Sequence, residues 1–328
     1  MKAIYLLGAD PYSWIYGEPE RQRIAQLVDI YAPPQTPDSV AENPAVLAEA
    51  EVLLSGWGCP RLTAELLDAA PNLKLVLYGA GTIKSLVTDE FWARGIPIVS
   101  AWHGNAVPVS EFSLAHILLA LKSVWQHVHL LRSEKAWRRL PIAGGYESTV
   151  GLVSLGAIGK IMVQRLHTFD VKVIAYDPFV TAEQGAALGV EMVSLDELFR
   201  RADVVSVHTP WLKETEGLIT GAHIASMKPY STFINTSRGA VVCETEMLDV
   251  LKDRPDLVAV IDVTYPEPPA PDSPLYTLPN VLLTPHIAGA IHNECRRMGQ
   301  MMIAELERFL AGHRPLERLA REQVAIMA

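Results

Sequence analysis

The chain has 328 residues, 49% of them hydrophobic and 20% charged, which is enough for two packed domains and excludes a disordered or low-complexity polypeptide. A formal net charge of −9, with no block of Lys or Arg, disfavours a nucleic-acid partner. Three widely spaced cysteines (Cys59, Cys243, Cys295) form neither a zinc motif nor a disulfide framework and suit a reducing compartment. We therefore expect no metal site. The first apolar run is too short for a secretory signal and no apolar stretch is long enough to span a bilayer, so a cytoplasmic protein without a membrane partner is expected.

In chain order, short apolar runs alternate with helical patterns. Strands are predicted at Ala3–Gly8, Val52–Ser55, Leu75–Tyr78 and Ile98–Ser100, with helices such as Glu20–Val28 and Leu62–Ala69 among them. Continuous apolar strands separated by helices indicate parallel sheets covered on both faces. From Pro108 to about Trp125 the pattern is a helix apolar on most sides, hence buried in a core or interface. An exposed arm with Arg132, Lys135, Trp137, Arg138 and Arg139 follows and ends in a Pro/Gly turn. A second and more regular series has strands at Thr149–Leu155, Val171–Tyr176, Val204–His208, Thr232–Thr236, Leu257–Val263 and Val281–Thr284. Pro266–Pro274 reads as a constrained loop, and a last helix, about Asn293 to Ala311, is placed to pack back on the first domain.

The junction Thr149–Gly159 runs from strand into helix and holds Ser154, Gly156 and Gly159 where the dinucleotide fingerprint asks for three glycines. Gly156 lets the backbone approach a pyrophosphate, Gly159 lets the helix pack on the strand, and the helix N-terminus supplies amide donors to phosphates. Ser154 is small enough for a tight turn, at some strain. The next strand ends at Asp177, placed to bind adenosine ribose hydroxyls and to repel the extra phosphate of NADP, so NAD is favoured. The bland reading is that Asp177-Pro178 merely starts a turn. A methyltransferase would show a similar glycine-rich turn, so this motif alone leaves both classes open.

Residues further on separate them. Arg238, Glu267 and His286 each follow a late strand, and in a parallel sheet ligands bind beyond the carboxyl ends of strands. The three can therefore share one cleft. Reduction of a 2-oxo acid needs a cation for the carboxylate, a proton donor for the carbonyl oxygen and a hydride source. Arg238 presents a planar fork for the first task. His286 suits the second. A carboxylate against the imidazole, Glu267, would favour its protonated form and fix its tautomer. A methyltransferase has no use for this set.

With these residues in place, the sequence resembles the D-2-hydroxyacid dehydrogenase family. The motifs are Ser154-Leu155-Gly156-Ala157-Ile158-Gly159, Tyr176-Asp177-Pro178, His208-Thr209-Pro210, Asn235-Thr236-Ser237-Arg238-Gly239-Ala240, Asp262-Val263 with Glu267-Pro268, and Thr284-Pro285-His286-Ile287-Ala288-Gly289. They stand in the family's order, and the resemblance covers about three quarters of the chain. It implies two Rossmann-like domains with parallel sheets. A cofactor domain, residues 103–290, would be inserted into a discontinuous substrate domain, residues 1–102 and 291–328. It implies Arg238 for substrate binding, Glu267 as the His partner and His286 as acid/base. Ser154, Gly156, Ala157, Ile158, Gly159 and Asp177 would hold the cofactor. His208, Thr209, Pro210 and Thr236 would line its cleft, with Asp262 near the nicotinamide carboxamide. Gly79-Ala80-Gly81 would offer backbone amides to the substrate carboxylate. A homodimer through the cofactor domain is implied, which would account for the apolar helix and the Trp137 arm.

The sequence departs from the family pattern at Ser154, at Ala157, where a longer and often basic residue is common, and in a short segment before the fingerprint, Gly144 to Ser148. Trp57, in a turn after a strand, either walls the substrate pocket or covers core. His103 is expected as a hinge or cleft-wall residue, and His116, His127 and His129 as helix residues without chemistry. Two other functions stand beside the enzyme reading: a formate dehydrogenase, in which a glutamine replaces the His-partner glutamate, and a non-enzymatic NAD-sensing regulator on the same fold. Glu267 argues against the first. The absence of a disordered tail or basic patch lowers the second. The substrate side chain is left open among glyoxylate, hydroxypyruvate and branched or aromatic 2-oxo acids.

Overall fold

The computed structural model describes residues 1–135 and 137–327. They divide into two compact units: Met1–Asn105 with Ala290–Met327, and Ala106–Gly289.

The first unit is built on a parallel sheet of β1 (Lys2–Leu6), β2 (Asp29–Ile30), β3 (Val52–Ser55), β4 (Leu75–Tyr78) and β5 (Ile98–Ser100), in the order β2-β1-β3-β4-β5. Every position of β3, β4 and β5 is buried, as their unbroken apolar runs require of strands covered on both sides. Alternate side chains divide between two cores. Ala3, Tyr5, Leu54 and Leu77 meet Ile24, Met298, Met302 and Leu306, while Ile4, Leu6, Leu53 and Val76 meet Leu67, Phe91, Leu319 and Val324. The helix Cys295–Leu310 thus covers one face of a sheet made by the first hundred residues. It is tied to the helix Glu18–Leu27 by Arg296, whose Nη2 donates to Glu20 Oε1 at 3.0 Å. The Arg296 Nε to Glu20 Oε2 contact of 2.7 Å is an ion pair that falls off the hydrogen-bond line.

The second unit has a seven-stranded parallel sheet: β6 (Thr149–Val153), β7 (Lys172–Tyr176), β8 (Glu191–Met192), β9 (Val204–Val207), β10 (Thr232–Asn235), β11 (Val258–Ile261) and β12 (Val281–Leu283), in the order β12-β11-β10-β9-β6-β7-β8. Chain order reverses between β6 and β9. In doubly wound sheets this switch point opens a crevice at the carboxyl ends of the strands, where ligands bind. The helix Ala157–Leu166 buries Met162, Val163 and Leu166 against β6 and β7 residues Val150, Leu152 and Val173. The helix expected from Pro108 runs instead over Trp102–Ala120, with Pro108 inside it, and a second helix, Val124–Glu134, follows. Among the described residues no single helix is long and apolar enough to cross a membrane.

Candidate active site

The turn after β6 is held at its shape from three sides. Ser154 has φ +78°, in the left-handed region that favours glycine. Its amide donates to Tyr176 O at 2.8 Å, and its Oγ lies 2.9 Å from Thr209 Oγ1. The Leu155 amide donates to Asp177 Oδ2 at 2.8 Å, and the Phe179 amide to Asp177 Oδ1 at 2.9 Å. Asp177 therefore does start a turn and also braces the loop, and each carboxylate oxygen keeps a lone pair for a further donor.

Gly156 caps the helix Ala157–Leu166 and is exposed; a Cβ there would meet nothing within 4 Å. Space therefore lies directly over the amides of the helix N-terminus, where Ala157 and Ile158 are half-buried. Gly159 is the opposite case: a Cβ would stand 2.3 Å from Ser154 O. Only a glycine allows the helix to approach the loop so closely. Open amides, a helix dipole and a carboxylate at the end of β7 fit a dinucleotide.

His208 and Thr209 follow β9 and are buried. His208 Nε2 is 3.1 Å from Ser206 Oγ, while Nδ1 is buried without a partner among the described residues. Burial pushes this imidazole down to about 4, so it is neutral at pH 7. Pro210 is half-buried and its carbonyl accepts from Thr215 Oγ1 at 2.6 Å. Thr236 Oγ1 is 3.1 Å from Ser113 Oγ.

Arg238, Glu267 and His286 come from the loops after β10, β11 and β12, three adjacent strands pointing the same way. Asn235, buried at the end of β10, shapes the first loop: its Oδ1 accepts from Ser237 N and Ser237 Oγ, and its Nδ2 donates to Arg238 O at 3.1 Å. Gly239 lets this loop lie against the next, since a Cβ would stand 2.1 Å from Thr264 C. Arg238 donates to Ser237 O at 2.6 Å; burial lowers its guanidinium below the ordinary value, and the Glu267 carboxylate opposes that shift. His286 Nδ1 stands 2.7 Å from Glu267 Oε1, with both side chains 44% exposed. The contact leaves Nε2 as the ring nitrogen available to a ligand.

His286 has φ +54°. Its amide donates to Asp262 O at 2.9 Å and Thr284 O at 3.0 Å. The Asp262 side chain, 1% exposed, accepts from Thr284 Oγ1 at 2.6 Å, Ile287 N at 2.8 Å and Ala288 N at 2.9 Å. Asp262 is thus the anchor of the His286 loop, with three donors of the chain already on its carboxylate. Sequence reasoning did not single out Asn235 or Thr284 as site residues. The signal was present in a polar residue at, or just after, the end of a strand, two or three residues before the functional side chain.

The residues predicted for the substrate pocket lie in the first unit. Gly79-Ala80-Gly81 follows β4 and is buried. The Gly79 amide donates to Ser55 O at 2.8 Å and the Ala80 amide to Tyr78 O at 2.8 Å, so two of the three amides expected to receive a carboxylate are engaged within the unit. Trp57 is half-buried against both cores of this unit. His103 stacks on Trp102, with Nδ1 2.7 Å from Glu317 Oε2. In the second unit, His116 and His127 bond carbonyls of their own helical turns, and His127 Nε2 also accepts from Leu140 N at 3.0 Å, tying down the arm. Trp137 on that arm is 95% exposed.

Residues 114–288 match the family described as D-isomer specific 2-hydroxyacid dehydrogenase, NAD binding domain. The chain belongs to the D-isomer specific 2-hydroxyacid dehydrogenase family. It is 36% identical to D-3-phosphoglycerate dehydrogenase of Mycobacterium tuberculosis H37Rv over 270 residues, 82% of this chain and 51% of the relative. It is 32% identical to glyoxylate reductase of Korarchaeum cryptofilum over 270 residues, 81% of each. The chain spans about half the length of the phosphoglycerate dehydrogenases it matches. Among solved structures, apo D-mandelate dehydrogenase of Rhodotorula graminis aligns with a TM-score of 0.78 at 26% identity, covering 98% of both chains. The two-domain Rossmann-like architecture is shared.

Proposed function

We propose that this chain interconverts a D-2-hydroxy acid and its 2-oxo acid with NAD(H) in preference to NADP(H). The observation that carries the reading is the 2.7 Å Glu267–His286 contact on the strand end next to that of Arg238. Bound NADH supplies the hydride. Arg238 holds the substrate carboxylate through its planar fork and draws charge toward the carbonyl oxygen. His286 Nε2 hands its proton to that oxygen as the hydroxyl forms, and takes it back in the oxidation direction. Glu267 holds Nδ1 at 2.7 Å, which keeps the ring oriented and leaves Nε2 toward the substrate. Asp177 accepts the ribose hydroxyls with the lone pairs its amide contacts leave, and its charge repels a 2′-phosphate.

The test is NADH oxidation, followed by absorbance, against glyoxylate, hydroxypyruvate and branched and aromatic 2-oxo acids, with NADPH in parallel. Turnover with at least one acid and a preference for NADH are expected. Binding of NADH without turnover of any acid would favour the regulator reading, and faster reaction with NADPH would remove the role given to Asp177. In the active protein, His286→Asn should lower kcat by about 10²–10⁴-fold, the range of a lost general acid. Arg238→Lys should act mainly on KM, because a point charge replaces a fork. We also expect a homodimer through the second unit, about twice the 36.0 kDa chain mass in sedimentation.

A further inference from the structure

We propose that Ser154 and Thr209 form a hydroxyl latch that holds the phosphate loop in its cofactor-binding shape, standing in for the glycine the loop lacks. The inference rests on the reading that this loop receives NAD(H).

A serine at φ +78° meets the steric penalty of an L side chain in the left-handed region, and serine is not among the residues that visit it readily. Something local must offset that penalty. Two of the loop's hydrogen bonds, Ser154 N to Tyr176 O and Leu155 N to Asp177 Oδ2, lead toward β7 on one side of the switch point. The Ser154 Oγ to Thr209 Oγ1 contact of 2.9 Å leads the other way, to the segment after β9.

Ser154 is 9% exposed and Thr209 2%, so water competes little for this bond. Thr209 Oγ1 also lies 3.4 Å from Val153 O, which can take only a proton. Either hydroxyl of the pair can be the donor, with Thr209 Oγ1 also in reach of Val153 O, and in both arrangements the bond joins the two segments. The chain of bonds stitches the end of β6 to the start of the next loop. It fixes the Ser154 peptide plane, and with it the direction of the following amides, Leu155 and Gly156, at the entrance to the helix. Were φ of Ser154 to relax to a negative value, those amides would turn and Ser154 O would leave its place beside Gly159.

The experiment uses the full chain and four variants: S154A, S154G, T209V and S154G/T209V. NADH dissociation constants come from titration calorimetry, and thermal unfolding is followed without cofactor. S154A and T209V should each weaken NADH binding about fivefold, the scale of one hydrogen bond, and should lower the unfolding temperature. S154G should bind NADH at least as tightly as the wild type, because glycine adopts the conformation unaided. The decisive quantity is the coupling: T209V should cost markedly less affinity, and a smaller drop in unfolding temperature, when introduced into S154G. Equal losses from T209V in both backgrounds would overturn the latch and make Thr209 a direct cofactor contact. Wild-type NADH affinity in S154A would overturn it as well. A wild type that binds no NADH would defeat the cofactor reading instead, and the coupled unfolding temperatures would still decide whether the latch exists.

Discussion

At His286 the backbone sits at φ +54°, a conformation that costs a non-glycine residue energy and persists only where its surroundings over-determine it. The surroundings here are Asp262 and Thr284, which between them bind the amides of His286, Ile287 and Ala288. Asp262→Asn would turn one carboxylate oxygen into a donor facing other donors. We expect kcat to fall about tenfold or more with a much smaller change in KM, as a misplaced proton donor predicts. Steady-state kinetics on the preferred acid would show the split, and an equal change in both constants would make Asp262 a substrate or cofactor contact.

His208 gives a second prediction at this scale. Burial depresses its pKa in the folded chain to about 4, against about 6.5 in an unfolded one. The unfolded state therefore binds the extra proton between those values. Stability is at its full value above pH 6.5, falls as pH drops toward 4, and levels off below; the linked loss is on the order of 3 kcal/mol. Urea unfolding from pH 7 to pH 4 should show this slope, and His208→Asn should flatten it.

Among the elements, three unbroken apolar runs were legible to the residue, while the strand predicted at Ala3–Gly8 lies at Lys2–Leu6. Val52–Ser55, Leu75–Tyr78 and Ile98–Ser100 are strands with the bounds their sequences predict. Of the later strands, the one ending at Tyr176 stops where predicted, while the other five stop one or two residues early, at Val153, Val207, Asn235, Ile261 and Leu283, where the chain turns into the site loops. β2 and β8 went unseen: two residues at a sheet edge, Asp29-Ile30 and Glu191-Met192, carry no period. The helix from Trp102 was also misplaced at its start, since Pro108 reads as a first-turn residue when only the local pattern is known. In the candidate site, Arg238, Glu267 and His286 were legible because charged residues at strand ends stand out. The bracing of the Leu155 amide by Asp177, and the capture of Asp262 by the His286 loop, depend on contacts over 22 or more residues and leave no local trace.

Close approach between elements is testable by a single methyl group. Gly159→Ala would press on Ser154 O, and Gly239→Ala on the backbone of Thr264. Each should destabilise by about 1–3 kcal/mol in denaturant unfolding, as overpacking does. Gly159→Ala should also weaken NADH binding, whereas Gly239→Ala should act on the 2-oxo acid through Arg238.

For the whole molecule, the division into units matters more than the length of either. The second unit is one continuous stretch, Ala106–Gly289, with its own two cores, so that fragment should fold by itself and give a cooperative melt. The first unit needs both ends of the chain. Within it, Arg296→Ala would leave the Glu20 carboxylate, 3% exposed, buried and unpaired, and should destabilise this unit by about 3 kcal/mol. A scanning calorimetry trace should show the loss in the transition that the isolated second unit lacks.

The late arrival of Met298, Met302 and Leu306 also bears on how the chain is made. During synthesis the sheet of the first unit leaves the ribosome long before the helix that covers its second face. For the time needed to add nearly two hundred residues, Ala3, Tyr5, Leu54 and Leu77 are without that cover. The nascent chain is then a ready client for a chaperone that binds apolar surface. A chain cut short and released just before residue 290 would carry a complete second unit and an incomplete first one, prone to aggregate through its bare sheet.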